Sequence, residues 1–527
     1  MDHLRVCIDA NLDCDTILES LRAVSSTVAM LEGSALAALK RTIRDLLDLH
    51  RNHWNGIWCL ILFDRIEAGC VRDVSLVAGN PPWVKWSNLP RPYAEFIKPL
   101  CDRMDIFSED SWVGGIQSDI STVVTYRALE RFVAPGGSLA FLITGTVFKN
   151  ESSQGFRRWE LRTPSGVEPI MVEMVEDYAS LRPFDGVSNW PTLLLVRRNG
   201  EETRYPLEYR RYVKARGSKL VSNRAMSYDR LRAMPVPGTD AGPWLVGGEQ
   251  EVEVWPTLFD AAGESSYRAR KGVTTDMNGV YFVRASPAPD AAFVRICNDP
   301  RNGRRRDVVE KKSIIERDDV FPLLRGRDVD RFSTKTLEGQ SIIVPQRGMF
   351  GDEDLPQTRP RTFRYLCAFR SLLEKRSSYR RFQKGKPFWS VWSTGDYTFA
   401  PWKVVWKEMS GAGFVAAYVG SSGLCGEQKT VVPDHKVYFV PMETEEEAAY
   451  LTAFLNAGIV ANAVSAYASA LSLGASVVDY LAIPEFDRSN EEMMALANLA
   501  KRFNAGEIPS CRDEEELNRL VKHIIGM

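Results

Sequence analysis

The chain has 527 residues, 44% hydrophobic and 26% charged, a composition that excludes a disordered or fibrous protein and allows two or three domains. Its 67 basic and 68 acidic residues leave a net charge of −1, which excludes a uniformly basic nucleic-acid coat and restricts any such contact to local patches. Nine cysteines without a Cys-x-x-Cys spacing argue against a disulfide framework or a metal site. The sequence shows neither a signal-sequence pattern nor a long apolar run, which predicts a soluble, cytoplasmic protein with no membrane contact.

The first predicted element is an amphipathic helix with Ser34 as its N-cap. Its apolar face is formed by Leu36, Leu39, Ile43, Leu46 and Leu47. The next clear element is an apolar stretch at residues 74–78, which is short enough for a buried strand.

This strand leads directly into Gly79, Asn80, Pro81, Pro82 and Trp83. The two prolines fix the backbone and donate no N–H, so the turn is rigid and its carbonyl groups stay available as acceptors. The Asn80 side-chain oxygen and the Pro81 carbonyl can each accept one N–H of a planar amino group, while Trp83 stacks on the attached ring. The pattern predicts a site that methylates an amine; the alternative is an ordinary turn that ends a strand.

Helical and strand patterns then alternate up to about residue 200. Residues 119–132 predict a helix, and the Pro-Gly-Gly turn at 135–137 leads into an apolar strand at 138–144. A further strand is predicted at 192–196, after the segment 181–187. Such alternation is typical of an α/β domain.

Several of these segments resemble the amino-methyltransferases that act on adenine in DNA, and they occur in the order of that family. Residues 77–86 resemble its motif IV, and Ser118–Ser121 stands where its motif V begins a helix, with a serine in place of the usual aromatic residue. Residues 134–144 look like its Pro-Gly-Gly turn and strand, and Leu181–Val187 is similar to the motif whose aromatic residue packs on the adenine.

The resemblance implies base flipping, S-adenosylmethionine as the cofactor and a set of site residues. It implies Asn80, Pro81, Pro82 and Trp83 as the catalytic turn. Phe184 would be the second aromatic residue against the target base, although a core phenylalanine at a strand start is an equal alternative. Asp119 would belong to the cofactor or target pocket.

A second resemblance covers the following part of the chain. Residues 320–332 look like the Pro-Leu-Leu-Arg-Gly-Arg-Asp element of TaqI-like C-terminal specificity domains, and supporting segments extend the resemblance to about residue 485. We therefore expect an α/β, incomplete Rossmann-like methyltransferase half-domain followed by a mixed α+β target-recognition domain. The predicted boundaries are 1–200 for the catalytic part, 201–265 for a proline-rich connecting region, 266–485 for the recognition domain and 486–527 for a C-terminal helical segment.

Two basic clusters are candidates for contact with double-stranded DNA. Residues 361–386 contain nine basic residues against the single acid Glu374, interleaved with aromatic residues, and a second cluster lies at 301–306. In a DNA contact, the cations would neutralise phosphates and the aromatic rings would stack on bases. The alternative to DNA contact is a solvated helix face for the first cluster and a solvated loop for the second. The predicted DNA-binding residues are Arg301, Arg304, Arg325, Arg327, Arg370, Arg376, Arg380, Arg381 and Lys384.

The cofactor loop of this family is not found where it is expected. Besides Gly79 of the turn itself, the glycines before Asn80 are Gly33, Gly56 and Gly69, which are isolated, so no glycine-rich turn follows a first strand. A permuted loop at Gly411-Ala412-Gly413 is a weaker possibility, because it lacks the expected acidic residues. We therefore predict that a second protein chain supplies the cofactor half, or that the start of the sequence omits it.

The sequence thus predicts a site-specific DNA adenine methyltransferase component of a restriction-modification or phage-defence system. A non-catalytic DNA-recognition subunit of a defence complex is the main alternative. An amino-methyltransferase directed at glutamine or RNA is a third, but the second domain with its basic aromatic segment favours duplex DNA.

Overall fold

The structure is a computed structural model, and it describes residues 2–52, 69–107, 118–163, 165–184, 189–214, 226–239, 241–259, 265–303, 305–408, 413–467, 474 and 477–527. Within these ranges the α-helices are α1 Asp2–Asp9, α2 Cys14–Val24, α3 Ser26–Ala29, α4 Gly33–Arg51, α5 Arg91–Arg103, α6 Ile120–Arg131, α7 Glu249–Leu258, α8 Asn278–Tyr281, α9 Leu355–Thr358, α10 Pro360–Cys367, α11 Arg370–Leu373, α12 Ser377–Phe382, α13 Glu445–Asn456, α14 Gly458–Tyr467, α15 Glu491–Asn504 and α16 Cys511–Ile524.

The strands are β1 Val74–Gly79, β2 Val133–Thr144, β3 Glu160–Thr163, β4 Gly166–Pro169, β5 Met171–Asp177, β6 Pro191–Arg197, β7 Leu207–Lys214, β8 Met226–Pro235, β9 Trp244–Gly247, β10 Arg270–Lys271, β11 Phe282–Pro287, β12 Phe293–Asn298, β13 Lys312–Glu316, β14 Val320–Leu324, β15 Ser341–Ile343, β16 Trp402–Lys407, β17 Ala416–Val419, β18 Ser421–Leu424, β19 Glu427–Thr430, β20 Val432–Pro433 and β21 Val437–Met442.

A seven-stranded sheet in the order β1-β2-β6-β5-β7-β8-β9 forms the first part of the fold. β1 pairs with β2 in parallel, whereas β6 is antiparallel to both of its neighbours. The connection from β1 to β2 passes through α5 and α6, which share one hydrophobic cluster with the buried side chains of β2. Parallel neighbours need a crossover of this kind, so this part of the chain has the predicted α/β character.

The predicted connecting region instead contributes three strands to this sheet. β7 pairs in parallel with β5, and β8 and β9 continue the sheet by antiparallel pairing. The prolines that suggested irregular structure lie where they do not interrupt a ladder: Pro206 precedes β7, Pro235 ends β8, and Pro237 and Pro243 lie between β8 and β9. The boundary predicted at residue 200 therefore falls inside the sheet.

The second half of the chain is built around two further cores. A six-stranded sheet, in the order β13-β12-β11-β15-β14-β20, packs with α10 to α12. A four-stranded sheet, in the order β10-β21-β16-β17, shares another core with the C-terminal helices. The segment predicted to be separate at 486–527 belongs to this core through Leu496 and Leu517.

Helix ends agree only in part with the capping pattern of the sequence. Thr444 caps α13 by accepting a hydrogen bond from the backbone N–H of Glu447, and Ser510 caps α16 in a reciprocal arrangement with Asp513. α4 begins at Gly33, so Ser34 lies inside the helix and the preceding Glu32 makes no side-chain capping bond. Among the described residues, no single helix is long and apolar enough to cross a membrane, although one bent helix pair meets that test when its two helices are taken together.

Lys149 joins the seven-stranded sheet to the C-terminal helices. Its Nζ donates hydrogen bonds to the carbonyl oxygen of Trp244, at 2.6 Å, and to that of Ala466 in α14. Burial lowers the pKa of Lys149 to about 7, so near neutral pH the amine is close to losing its charge.

We expect this amine to make stability depend on pH. The unfolded chain keeps the proton up to the ordinary value of 10.5, whereas the folded chain releases it near 7, so the free energy of unfolding rises with pH within that window. Lys149→Met should reduce that rise by up to about 1.4 kcal/mol per pH unit in urea titrations at a series of pH values. The exposed Lys98→Met is the matched control, and an unchanged slope for Lys149→Met would show that the amine stays charged when buried.

Candidate active site at the end of β1

The Asn-Pro-Pro-Trp turn leaves the sheet at the carboxyl end of β1. The last ladder pair joins Gly79 to Phe141 of β2. A Cβ atom at Gly79 would lie 3.3 Å from the Phe141 ring, so glycine permits the close approach of the two strands at this point. Ligands of open α/β sheets bind outside the carboxyl ends of the strands, which is where this turn lies.

Two hydrogen-bond acceptors are available in the turn. Asn80 and Pro82 are exposed, whereas the ring of Pro81 is buried and anchors the turn. Neither the Asn80 side chain nor the Pro81 carbonyl oxygen accepts a hydrogen bond from any residue in the described part of the chain. Both oxygens are therefore free to accept hydrogen bonds from a ligand.

The indole of Trp83 is held in place by β2. Its Nε1 donates to the carbonyl oxygen of Leu142 at 3.0 Å. β1 ends opposite Phe141, so the Leu142 carbonyl is the first one on that edge of β2 that has no partner in β1. The Trp83 indole supplies the hydrogen-bond donor that is missing there. The ring is thereby fixed in orientation beside Asn80.

The structure brings Phe184 against Trp83, although the two residues are far apart in sequence. The ring centroids are 5.9 Å apart and the planes are inclined by 73°, an edge-to-face contact. Phe184 is 38% exposed and lies next to residues 185–188, which are outside the described residues. The Phe184 ring thus borders the Trp83 ring at the exposed margin of the site.

Asp119 lies on a segment that is hydrogen-bonded to the turn. The backbone N–H of Trp86 donates to Ser118, and that of Ile120 donates to Val84. The Asp119 carboxylate caps α6 by accepting from the Ser121 N–H at 2.9 Å, and burial raises its pKa. The structure thus gives Asp119 a capping contact near the site, and the pocket role remains a prediction.

A buried carboxylate braces the segment that carries Phe184, and sequence reasoning missed it. Asp177, at the end of β5, accepts hydrogen bonds from Trp190 Nε1 at 2.6 Å and from the Tyr209 hydroxyl at 3.0 Å. The carbonyl of Trp190 in turn accepts from the N–H of Gly145 at 2.7 Å. An aspartate at the end of an apolar strand was the only available signal, and it does not identify its partners.

Residues for the cofactor are not assembled here. In the described part of the chain, no glycine-rich turn lies beside Asn80, and the outer edge of β1 pairs with no strand. Leu76 of that edge strand is 58% exposed. Residues 409–412, which include most of the permuted candidate loop, lie outside the described residues, and the preceding β16 is an inner strand of the four-stranded sheet. The described residues around Asn80 therefore do not form a site that fits S-adenosylmethionine.

The prediction for Arg376 is wrong. Its side chain is 2% exposed, and its guanidinium donates to the carbonyl oxygens of Leu373, Thr275, Phe388 and Ser390 at 2.6 to 3.0 Å. These contacts hold the loop after α12 against the domain and leave the charge out of reach of a phosphate.

The other predicted DNA-binding residues that the structure describes are exposed or half-buried, and they differ in their pairing. Arg380, Arg381 and Lys384 are exposed, and no described residue forms an ion pair with them. The remaining ones are Arg301 paired with Asp299, Arg370 with Glu374, Arg325 bonded to Asn302, Arg327 bonded to Gln340, and Arg304, which is outside the described residues. Their contact with DNA stays a prediction.

Comparison with known proteins gives one sequence relative and several structural ones. No protein-family model matches the chain. The type II methyltransferase M.NspV of Nostoc sp. is 28% identical over 151 residues, which are 28% of this chain and 29% of that protein. The chain thus has weak homology to a type II methyltransferase and spans under a third of its length.

Two solved structures illustrate the structural similarity. The type IIL restriction-modification enzyme MmeI in complex with DNA has a TM-score of 0.47 and 10% identity, covering 86% of this chain and 54% of that one. A nuclease-deletion mutant of the type ISP restriction-modification enzyme LlaGI, in complex with a DNA substrate mimic, has a TM-score of 0.41 and 10% identity, covering 90% and 37%. The chain therefore matches about half or less of the length of these enzymes.

We expect the capping contact of Asp119 to stabilise the fold. Asp119→Ala removes the acceptor for the Ser121 N–H and should lower the free energy of unfolding by about 1 kcal/mol, measured by urea denaturation. Asp119→Ser keeps a capping oxygen and should recover most of that loss. A serine variant as unstable as the alanine variant would show that the cap is not what Asp119 contributes.

Proposed function

We propose that this chain is a component of a site-specific DNA adenine methyltransferase in a restriction-modification or phage-defence system. The observation that carries the proposal is the pair of free acceptors at Asn80 and Pro81, at the carboxyl end of a parallel strand and beside the Trp83–Phe184 contact. The weak homology to a type II methyltransferase supports the same reaction class.

The target adenine would leave the duplex before it reacts. Its amino group is paired within DNA and cannot reach Asn80 unless the nucleotide flips outward, which costs a few kcal/mol. Stacking on an aromatic face returns about 1 to 3 kcal/mol for each base, so Trp83 alone can offset much of that cost. Phe184, at the exposed margin of the site, can then close against the other side of the base.

The turn would act by positioning the amine rather than by acid–base chemistry. The Asn80 side-chain oxygen and the Pro81 carbonyl each hold one N–H, which fixes the plane of the amino group and directs its lone pair outward. Positive charge would develop on the nitrogen as its lone pair forms a bond to the methyl carbon and the carbon–sulfur bond of the donor breaks, and one amine proton would then leave. The same two oxygens stabilise that charge through the hydrogens that they already hold.

We further propose that a second protein chain supplies the S-adenosylmethionine site, where the cofactor provides an electrophilic methyl group. Parallel sheets are normally covered on both faces. On one face of β1, Val77 packs into the core, but on the other face Leu76 and Ala78 are exposed, next to the half-buried Ala140 and Leu195. An open apolar edge is a template for another strand, and a strand added parallel to β1 would end beside Asn80.

The alternative, a non-catalytic DNA-recognition subunit, is favoured by one observation. The described residues contain acceptors for an amine but no complete cofactor site. The free Asn80 and Pro81 oxygens favour a working enzyme over this alternative, because a turn used only to end a strand does not require unpaired acceptors.

The isolated chain should bind S-adenosylmethionine weakly or not at all, because the described residues do not form its site. Calorimetry would measure this, and micromolar binding by the chain alone would contradict the need for a partner.

In the presence of the second chain that completes the cofactor site, Leu76→Asp should abolish methylation by placing a charge on the outer edge strand β1. Val167→Asp, at a strand position that is also 58% exposed, is the matched control and should retain activity.

Asn80→Ala tests the chemistry in the reconstituted enzyme. It removes one of the two acceptors at the reacting amine and should slow methyl transfer by about 2.7 to 4 kcal/mol, or roughly 100- to 1000-fold, with little change in DNA affinity. Trp83→Ala should also weaken trapping of the flipped base, whereas Trp83→Phe should keep much of the activity because a stacking face remains. A wild-type rate for Asn80→Ala, measured with labelled cofactor, would exclude the catalytic assignment and favour the recognition subunit.

A further inference from the structure

Strands β11, β12 and β13 present one solvent-facing surface, here called the cationic face. In one cross-strand row, Cys297 of β12 lies opposite both Arg284 of β11 and Lys312 of β13. In the neighbouring row, Arg295 lies between Ser286 and Ile314. Side chains two residues apart on a strand point to the same face, so all six lie together on the surface opposite the core.

The cationic face is a shallow groove without an acidic side chain in its lining. Its volume is about 460 Å³, and its lining includes all six residues named above. Arg284, Arg295 and Lys312 are exposed, and none of the three forms an ion pair or hydrogen bond with a described residue. Three positive charges thus lie on adjacent strands without an ion-pair partner among the described residues.

The ends of this groove continue into both basic clusters of the sequence. At one end Arg361, the first residue of the basic aromatic segment, lies 4.0 Å above the ring of Phe293. At the other end lies Asp299, which is hydrogen-bonded to Arg301 and close enough to Arg284 to feel its charge. The hydrogen bond to Arg301, and to a smaller extent the charge of Arg284, hold the pKa of Asp299 below its ordinary value. The groove therefore connects two clusters that lie about 60 residues apart in the sequence.

The nearest carboxylate on β13 is already engaged. Glu316 accepts hydrogen bonds from the backbone N–H groups of Arg361 and Thr362 and from the Thr362 hydroxyl. Its charge is used to fix the start of α10 and does not compensate the cationic face. Like charges on neighbouring strands repel one another, so an extended anion is the ligand that this surface fits.

Resting on the DNA-directed function proposed above, we propose that the cationic face of β11, β12 and β13 is where the second domain binds the phosphate backbone of duplex DNA. Arg284, Arg295 and Lys312 contact phosphates, and Cys297 lies beneath the bound strand. The contact positions the domain on DNA and does not itself read bases.

The first test is the salt dependence of DNA binding. The triple variant Arg284→Ala, Arg295→Ala, Lys312→Ala should bind a fluorescein-labelled duplex more weakly, whatever its sequence. The log–log slope of affinity against salt should fall by about 0.9 for each lost contact, or about 2.7 in all. The control variant Arg22→Ala, Arg41→Ala, Arg44→Ala makes the same change in charge at exposed positions of the N-terminal helices and should leave the slope unchanged.

The second test uses Cys297 in the groove of the wild-type chain, so no charged side chain has to be removed. Cys297 is a free, half-buried thiol, and Cys511 is a free, exposed thiol at the start of α16. Duplex DNA should slow the alkylation of Cys297 by iodoacetamide severalfold and leave that of Cys511 unchanged. The measurement is peptide mass spectrometry over time.

The outcomes separate this inference from the function on which it rests. If the wild-type chain binds duplex DNA while the triple variant keeps its slope and Cys297 stays equally reactive, the cationic face is not the DNA surface and the proposed function is unaffected. If the wild-type chain binds no DNA at any salt concentration, both are overturned.

Discussion

The backbone hydrogen bonds of β2 are the interaction on which the arrangement of the site depends. One edge of this strand holds β1 in parallel register, so the chain must turn away from the sheet at Gly79. The other edge holds β6 and, through it, β5 with Asp177 at its end. The Leu142 carbonyl, just past the end of the β1 ladder, then orients Trp83. A single strand thus places the acceptors, the stacking ring and the segment bearing Phe184.

The same strand also connects the Asn-Pro-Pro-Trp turn to the second half of the chain. Directly after β2, the N–H of Gly145 holds Trp190, and Lys149 reaches the carbonyl groups of Trp244 and Ala466. Ala466 belongs to the core that the C-terminal helices share with the four-stranded sheet. A shift of those helices would therefore act on the short segment between β2 and Lys149. Because a buried amine without its carbonyl partners is costly, this junction resists separation of the two parts.

Elements with a strong local signal could be predicted from the sequence. β1, α6 and β6 were expected close to their observed bounds, because apolar strand runs and a helical pattern identify them. β2 begins at Val133, so it includes the turn that was expected at 135–137 before a strand at 138–144. The strands β7 to β9 were not expected, because prolines at strand ends produce the same local pattern as an irregular linker. Whether a strand pairs depends on distant neighbours, which local composition does not contain.

The site shows the same limit at the level of side chains. The acceptor turn was predicted because its chemistry lies in consecutive residues, and the approach of Phe184 to Trp83 followed only from the order of family motifs. Arg376 was misassigned, because a cation held by four carbonyls and a cation in solvent look alike in sequence. The brace around Asp177 was missed, because it joins residues from β5, β7 and the segment before β6. The exposure of Arg284, Arg295 and Lys312 on one face likewise depends on strand register.

The two prolines of the Asn-Pro-Pro-Trp turn also bear on self-association of the chain. In the described part of the chain no strand pairs with the outer edge of β1, and an edge strand that exposes Leu76 and Ala78 is a site at which another copy can pair. Pro81 and Pro82 have no N–H to donate, so no intermolecular ladder can extend past Gly79. At the other end, Arg72 and Asp73 place charges directly before the strand. A strand that pairs with β1 is thereby limited to the six residues Val74–Gly79.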